Sequence, residues 1–343
     1  MSHANLARSG LLTVVVAALA SSVVLGQTQS GTLADSRTPW GEPDLRGVWR
    51  NETETPLERP LELAGKEFYT LEEAASLAAE RCRTSRYLAC QDGQGAAEGP
   101  SPETESQPAG TYNRFWQDRG TVAQIVTRTS MIVGPEGRIP LTPEMQQESE
   151  RNAASYGNGP FNTWHDIDTG ERCLTDGLPG SVWTGTAGGP QKISQGPGWV
   201  VIEGEQFRDR RNVPTDGQAH GNVRHWLGEG VGRWEGDTLV VETKNFLDKT
   251  DERWLATWRV PTETMSLVER FTRIDGDTLM YQLTIEDPVK FTRPWTVEVP
   301  LTLLDQPFLE YACHEGNYGV IHTLSGARAR EQKATGSLRD GQR

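Results

Sequence analysis

The chain has few residues that do redox, metal or nucleophile chemistry. It holds four cysteines and six histidines in 343 residues. No two cysteines form a CxxC, which argues against a thiol-redox motif and a zinc ribbon. No GxSxG, HExxH, Walker-type phosphate loop or GxGxxG occurs, so no familiar nucleophile elbow, zinc helix or nucleotide cradle is present. No bound cofactor and no metal centre are therefore expected. Positive charge is also short: the formal net charge is −13. An acidic protein repels phosphate backbones, which argues against nucleic acid or an anionic membrane as partner.

Long apolar runs are absent, with one exception. Arg8 precedes an apolar and small-residue run from Leu11 to Gly26. That run is short for a membrane span and reads as a secretory signal over 1–26, cut before Gln27 or after Ala20. No cysteine ends the signal, so no lipid anchor is expected there. The 317 residues that remain carry 33 basic and 47 acidic side chains, a net −14. The expectation is a periplasmic or secreted protein with no stable membrane insertion after cleavage.

In an oxidising compartment, Cys82, Cys90, Cys173 and Cys313 read as disulfide formers, with three pairings open. A local Cys82–Cys90 bridge would leave Cys173 with Cys313, tying the middle of the chain to its end. The predicted organisation is one β-rich domain over 27–326 followed by a polar tail over 327–343. Residues 91–110, rich in Pro, Gly and charge, predict a disordered loop.

Two helices are predicted. Thr70 and Glu73 make a capping box for 70–89. Thr142 caps 143–156, with Pro143 in the first turn and Gly157 after the end. From about 198 the period becomes two. Strands are predicted over 198–205, 237–246, 265–274, 277–287, 295–304 and 308–313. In 277–287, Leu279, Tyr281, Leu283 and Ile285 alternate with polar residues, the mark of a half-buried strand. Asp275-Gly276 is a hairpin turn signal, and Gly236-Asp237 repeats it 40 residues earlier. Gly47-Val48-Trp49 opens a further strand in the manner of a lipocalin. The fold class is mainly β: an antiparallel lipocalin-like barrel or sandwich with two or three peripheral helices. The eleven tryptophans would plug its core or wall a cavity.

Five histidines lie beyond the signal. His314, in YACHEGN, would share a strand face with Glu310, while Cys313 and Glu315 point the other way. An imidazole beside carboxylates suits general acid–base work near neutrality. His220 follows the Asp216-Gly217 turn and precedes Arg224, His225 and Trp226 on what reads as a barrel-mouth loop. His220 and His225, five apart across Gly221, lack a helical ligand spacing, so no metal pair is predicted. His165 has acidic neighbours in an irregular segment. Arg172, and the run Arg208-Asp209-Arg210-Arg211, could clamp a carboxylate or enolate, though such runs are commonly solvated loops. Asn113 to Arg119 mixes aromatic and ionic groups.

The stretches TPWGEPDLRGVWRNETETPLERP (38–60), YNRFWQDRG (112–120), ERCL (171–174), RHWLGEGVGRWEGDTLVVETKNF (224–246), LVERFTRIDGDTLMYQLTIEDP (267–288), TRPWTVEVPL (292–301) and YACHEGNYG (311–319) resemble a large, poorly characterised family of exported bacterial β-rich proteins. The resemblance spans most of the chain and implies a lipocalin- or calycin-like fold. Its motifs single out Arg172, Cys173, Asp216, His220, Cys313, His314, Glu315 and Asn317. His225 departs from its pattern, and Cys82, Cys90 and the 91–110 insert are peculiar to this chain.

Two functions compete. The first is a cofactor-independent enzyme acting on a small apolar or aromatic metabolite as an isomerase, lyase, cyclase or hydrolase. His314 and His220 would move protons, oriented by Glu315 or Asp216. Arg172, Asn317, Tyr311, Trp226 and Arg224 would contact substrate inside a tryptophan-walled hollow. The second is a periplasmic carrier for a small hydrophobic ligand, in which the same residues only orient it. A structural envelope role is a third reading.

Overall fold

The computed structural model describes residues 36–51, 53, 55–84, 127–155, 159–175, 177–179, 189–249 and 257–335. Cys82 sits in the first helix with its side chain undescribed. Cys90, the 91–110 insert, residues 113–119 and the signal lie outside these stretches.

Nine antiparallel strands form one sheet. They are β1 (Gly47–Asn51), β2 (Gln191–Gly196), β3 (Trp199–Gly204), β4 (Arg210–Pro214), β5 (Glu229–Glu235), β6 (Thr238–Lys244), β7 (Ser266–Arg273), β8 (Thr278–Glu286) and β9 (Trp295–Leu304). Their order is β4-β3-β2-β1-β9-β8-β7-β6-β5. The sheet curls into a nearly closed, lipocalin-like barrel in which β4 and β5 approach each other. Glycine makes that seam possible: a Cβ on Gly232 of β5 would sit 2.9 Å from Val213 Cγ1 of β4. The predicted β7–β8 hairpin is present, with Phe271 opposite Tyr281, and Gly236-Asp237 joins β5 to β6.

Period-two patterning builds the core. Leu279, Tyr281, Leu283 and Ile285 of β8 are all fully buried, and the opposite face of the strand is partly wet. They pack with Val297, Val299 and Leu301 of β9, Leu267 and Phe271 of β7, and Ile202 of β3. Trp49 is fully buried and its indole N–H donates to Leu45 O at 2.8 Å, so the polar end of the plug is satisfied. Gly47 has φ +150, and a Cβ there would lie 2.5 Å from Leu303 Cδ1, so only glycine fits this bend into β1. Among the described residues, this cluster packs the inner face of the sheet. Trp49, Trp258 and Trp295 are core, whereas Trp164, Trp199 and Trp226 are exposed.

Three helices lie at the periphery. Helix α1 (Leu71–Thr84) carries the predicted box: Thr70 N–H donates to Glu73 Oε2 and Glu73 N–H to Thr70 Oγ1. Helix α2 (Pro143–Ser155) is capped by Thr142 Oγ1, which accepts from Met145 N–H. Helix α3 (Gly319–Ala334) runs into the polar tail expected over 327–343, and the strand expected over 308–313 is not formed. The latter segment is a loop packed on the turn before β4: Arg208 stacks over Phe308, and Tyr311 meets Phe207 edge-on. Among the described residues, no helix is long and apolar enough to cross a membrane.

Candidate functional site

One strand pattern is broken in a way that matters chemically. In β4 alternation turns Arg211 and Val213 inward, and in β7 it turns Leu267, Glu269 and Phe271 inward. A cation and an anion therefore meet inside an apolar barrel, with the Arg211 side chain 7% exposed and Glu269 0%. Both Arg211 Nη groups donate to the Glu269 carboxylate, one per oxygen, with Nη2 to Oε1 at 2.9 Å. The Tyr281 hydroxyl from β8 adds a third bond to Oε1 at 3.0 Å. Burial opposes the charge on Arg211, but the adjacent Glu269 outweighs it and holds the guanidinium above its ordinary pKa. Burial first, then the Glu269 charge, pushes the Tyr281 phenol well above its usual range, so it stays a neutral donor.

Above this cluster lies a shallow cleft with a volume of about 10 Å³, room for about one water. Leu178, Ile202 and Leu227 form apolar walls, while Gln191, Asp209 and Arg211 supply the polar surface. Ligand sites that swallow a drug-sized molecule run from roughly 300 to 1,000 Å³. This cleft is far smaller, so a ligand larger than a water enters only if its walls move apart.

The chain over the cleft is tied down by residues that the sequence singled out. Cys173 and Cys313 form a disulfide across 140 residues, one of the open pairings. Asn317 Nδ2 donates to Glu171 O at 3.0 Å and contacts Cys173 Sγ at 3.1 Å. Cys173 adopts a left-handed φ of 56, which turns the chain toward Thr175. The Thr175 hydroxyl donates to Asp209 Oδ2 at 2.6 Å and accepts from Gly177 N–H at 2.8 Å, just before Leu178. The disulfide, Asn317 and Thr175 thus position one wall of the cleft.

The remaining candidates divide among other places. Arg172 stacks 5.2 Å from the Trp164 ring and donates to Asp168 O. His314 and Glu315 are exposed on the turn after the disulfide. Asp216 is exposed, its Oδ1 accepting from Gln218 N–H. Arg224 staples its loop through Phe246 O and Glu263, next to the half-exposed Trp226. His220 faces a carboxylate, but it is Glu229, with Nδ1 3.7 Å from Oε2. That oxygen is fixed by Gly221 N–H at 2.8 Å and Asn245 Nδ2 at 2.9 Å. Both His220 ring nitrogens are shielded from water and form no hydrogen bond. Neither His220 nor His314 lines the cleft. Among the described residues, no group of three or more His, Cys, Asp or Glu could hold a metal.

Sequence reasoning named Arg211 as a carboxylate clamp and missed its partner. The available signal was Glu269 itself, an acid at an inward position between Leu267 and Phe271. A charge on an apolar face needs a buried counter-charge. Comparison with family models, with curated proteins and with solved structures finds no match to this chain.

Proposed function

We propose that the protein is an exported binding or carrier protein that holds the polar head of a small, largely apolar molecule at the barrel mouth. The observation that carries this reading is the small cleft with Leu178, Ile202 and Leu227 as walls and Arg211, held from behind by Glu269, on its lining. The chemistry of this pair favours binding over proton transfer. Glu269 already accepts three hydrogen bonds and Arg211 keeps its proton, so the pair orients a ligand without offering a free base. The Cys173–Cys313 bridge supports an oxidising compartment, and the acidic net charge argues against nucleic acid. Ligand-observed NMR with a fragment mixture tests the reading. Fragments with an apolar body should bind, and Ile202→Trp, which fills the cleft, should abolish their signals. Equal binding by wild type and Ile202→Trp would place the ligand elsewhere.

A second reading, a cofactor-independent isomerase, lyase or hydrolase, rests on His220. Its imidazole is sheltered beside Glu229, whose orientation is fixed by two donors, an arrangement suited to general acid–base work. Incubation with a metabolite extract should then consume a component with wild type but not with His220→Gln. An extract left unchanged by wild type removes this reading. The exposure of His314 and Glu315 gives them weaker support as catalytic groups.

A further inference from the structure

A cleft with room for one water admits a ligand only where its walls can part, and the fold has one line along which they part cheaply. Resting on the carrier reading above, we infer that the seam between β4 and β5 is a side gate, which opens to admit the ligand between Arg211 and Leu227.

Every other pair of neighbouring strands is joined by a backbone ladder, whereas β4 and β5 are the two edges of the sheet. Their contact runs through side chains and glycine. A Cβ on Gly230 would lie 3.5 Å from Val213 Cγ2, and one on Gly232 would lie 3.0 Å from Thr215 Cγ2. A backbone hydrogen bond contributes about 0.5–1.5 kcal/mol net, and separating β4 from β5 breaks no ladder. The cleft lies on this line. Gln191 of β2, Ile202 and Gly204 of β3, and Asp209 and Arg211 at β4 line one side of it. Leu178 belongs to the same side, because Thr175 ties its segment to Asp209. Leu227, just before β5, stands alone on the other. It is followed by Gly228 at φ +67, whose Cβ would lie 2.7 Å from Lys244 O, so this wall is packed against β6. The chain that links the two edges can follow such a movement. Thr215 N–H donates to Gly198 O on the β4 side, and Gly221 N–H donates to Glu229 on the β5 side. Between them Asp216, Gly217, Gln218 and Ala219 are exposed, with Gly217 at a left-handed φ of 87. Inside the barrel, Arg211 of β4 and Glu269 of β7 tie the two sides together, which limits how far the seam opens.

Two measurements on the full-length protein test the gate. In the first, Val213→Cys and Gly230→Cys are combined and oxidised to lock the seam, and hexanol binding is read by ligand-observed NMR. The locked protein should bind about tenfold or more weakly than wild type, and reduction should restore the binding that wild type shows in the same reductant. Recovery also shows that the variant is folded. In the second, Val213→Cys alone is labelled with a maleimide and compared with Val297→Cys in β9, a position that is equally buried but held in a ladder with β8. Local opening should make Val213→Cys react about tenfold or more faster, with the site read by mass spectrometry. If the pair fails to cross-link, this ratio decides alone. A locked protein that binds hexanol like its reduced form, or equal labelling at the two positions, overturns the gate and leaves the carrier reading standing. Hexanol binding by no form, wild type included, removes the carrier reading and the gate with it.

Discussion

Replacing Arg211 with methionine removes the cation facing Glu269 while keeping most of the side-chain volume. Glu269 has no exposure, and only the Tyr281 hydroxyl would remain to solvate it. Breaking one side of a buried ion pair costs about 3–5 kcal/mol, because the other charge stays buried. That is a large share of the roughly 5–15 kcal/mol that stabilises a typical protein. Glu269→Leu should cost a similar amount by stranding Arg211. Replacing Arg211, Glu269 and Tyr281 together by Met, Leu and Phe should recover most of the loss, because no polar group is then left without a partner. Urea unfolding followed by tryptophan fluorescence, with the disulfide intact, measures each step. The Arg211–Glu269 double-mutant cycle should give a coupling of about 2–3 kcal/mol. A cost below about 1 kcal/mol for Arg211→Met, or additive single variants, would refute the placement of an ionised pair inside the barrel.

Tyr281 supplies a pH test. Its folded-state pKa is raised by burial and by Glu269, so its contribution is present below the unfolded tyrosine value near 10 and is lost as pH rises toward the folded value. Stability should therefore fall above about pH 10 with a slope of up to ~1.4 kcal/mol per pH unit, and Tyr281→Phe should flatten that slope. Paired Cys173→Ser and Cys313→Ser changes open a 140-residue loop, which the chain-entropy model values at about 5 kcal/mol. The same variant should become sensitive to limited proteolysis near 171–179, and unchanged protection would show that Asn317 and Thr175 hold this segment alone. Gly47→Ala should destabilise by about 1–3 kcal/mol through strain and contact with Leu303, read as a lower urea midpoint; a neutral result would contradict the tight bend into β1.

Strands with one apolar face were legible in the sequence. β7, β8 and β9 present an alternation, because burying one face imposes a period of two, whereas β6 is marked by its consecutive buried Leu239, Val240 and Val241. β4 was hidden because its inward position is an arginine, and β5 because Gly230 and Gly232 remove the side chains that would mark a face. Phe308 and Tyr311 imitate a strand in 308–313, yet they pack on Arg208 and Phe207 through a turn that requires left-handed backbone. Helix α3 buries only Ala327, so its sequence carries almost no apolar stripe. Cys173, Cys313 and Asn317 were found from their motifs, but their task became visible only with Thr175 against Asp209. The partner of His220 could not be read locally. Glu229 lies nine positions on, at the start of β5, where its place is set by the pairing of β5 with β6.

The central claim is that a small molecule seats over Arg211. Methyl-resolved NMR of protein labelled at isoleucine and leucine, titrated with hexanol, tests it most directly. The Ile202, Leu178 and Leu227 methyls should shift together and saturate along one binding curve. Shifts confined to methyls remote from these three, with Ile202 unmoved, would contradict it.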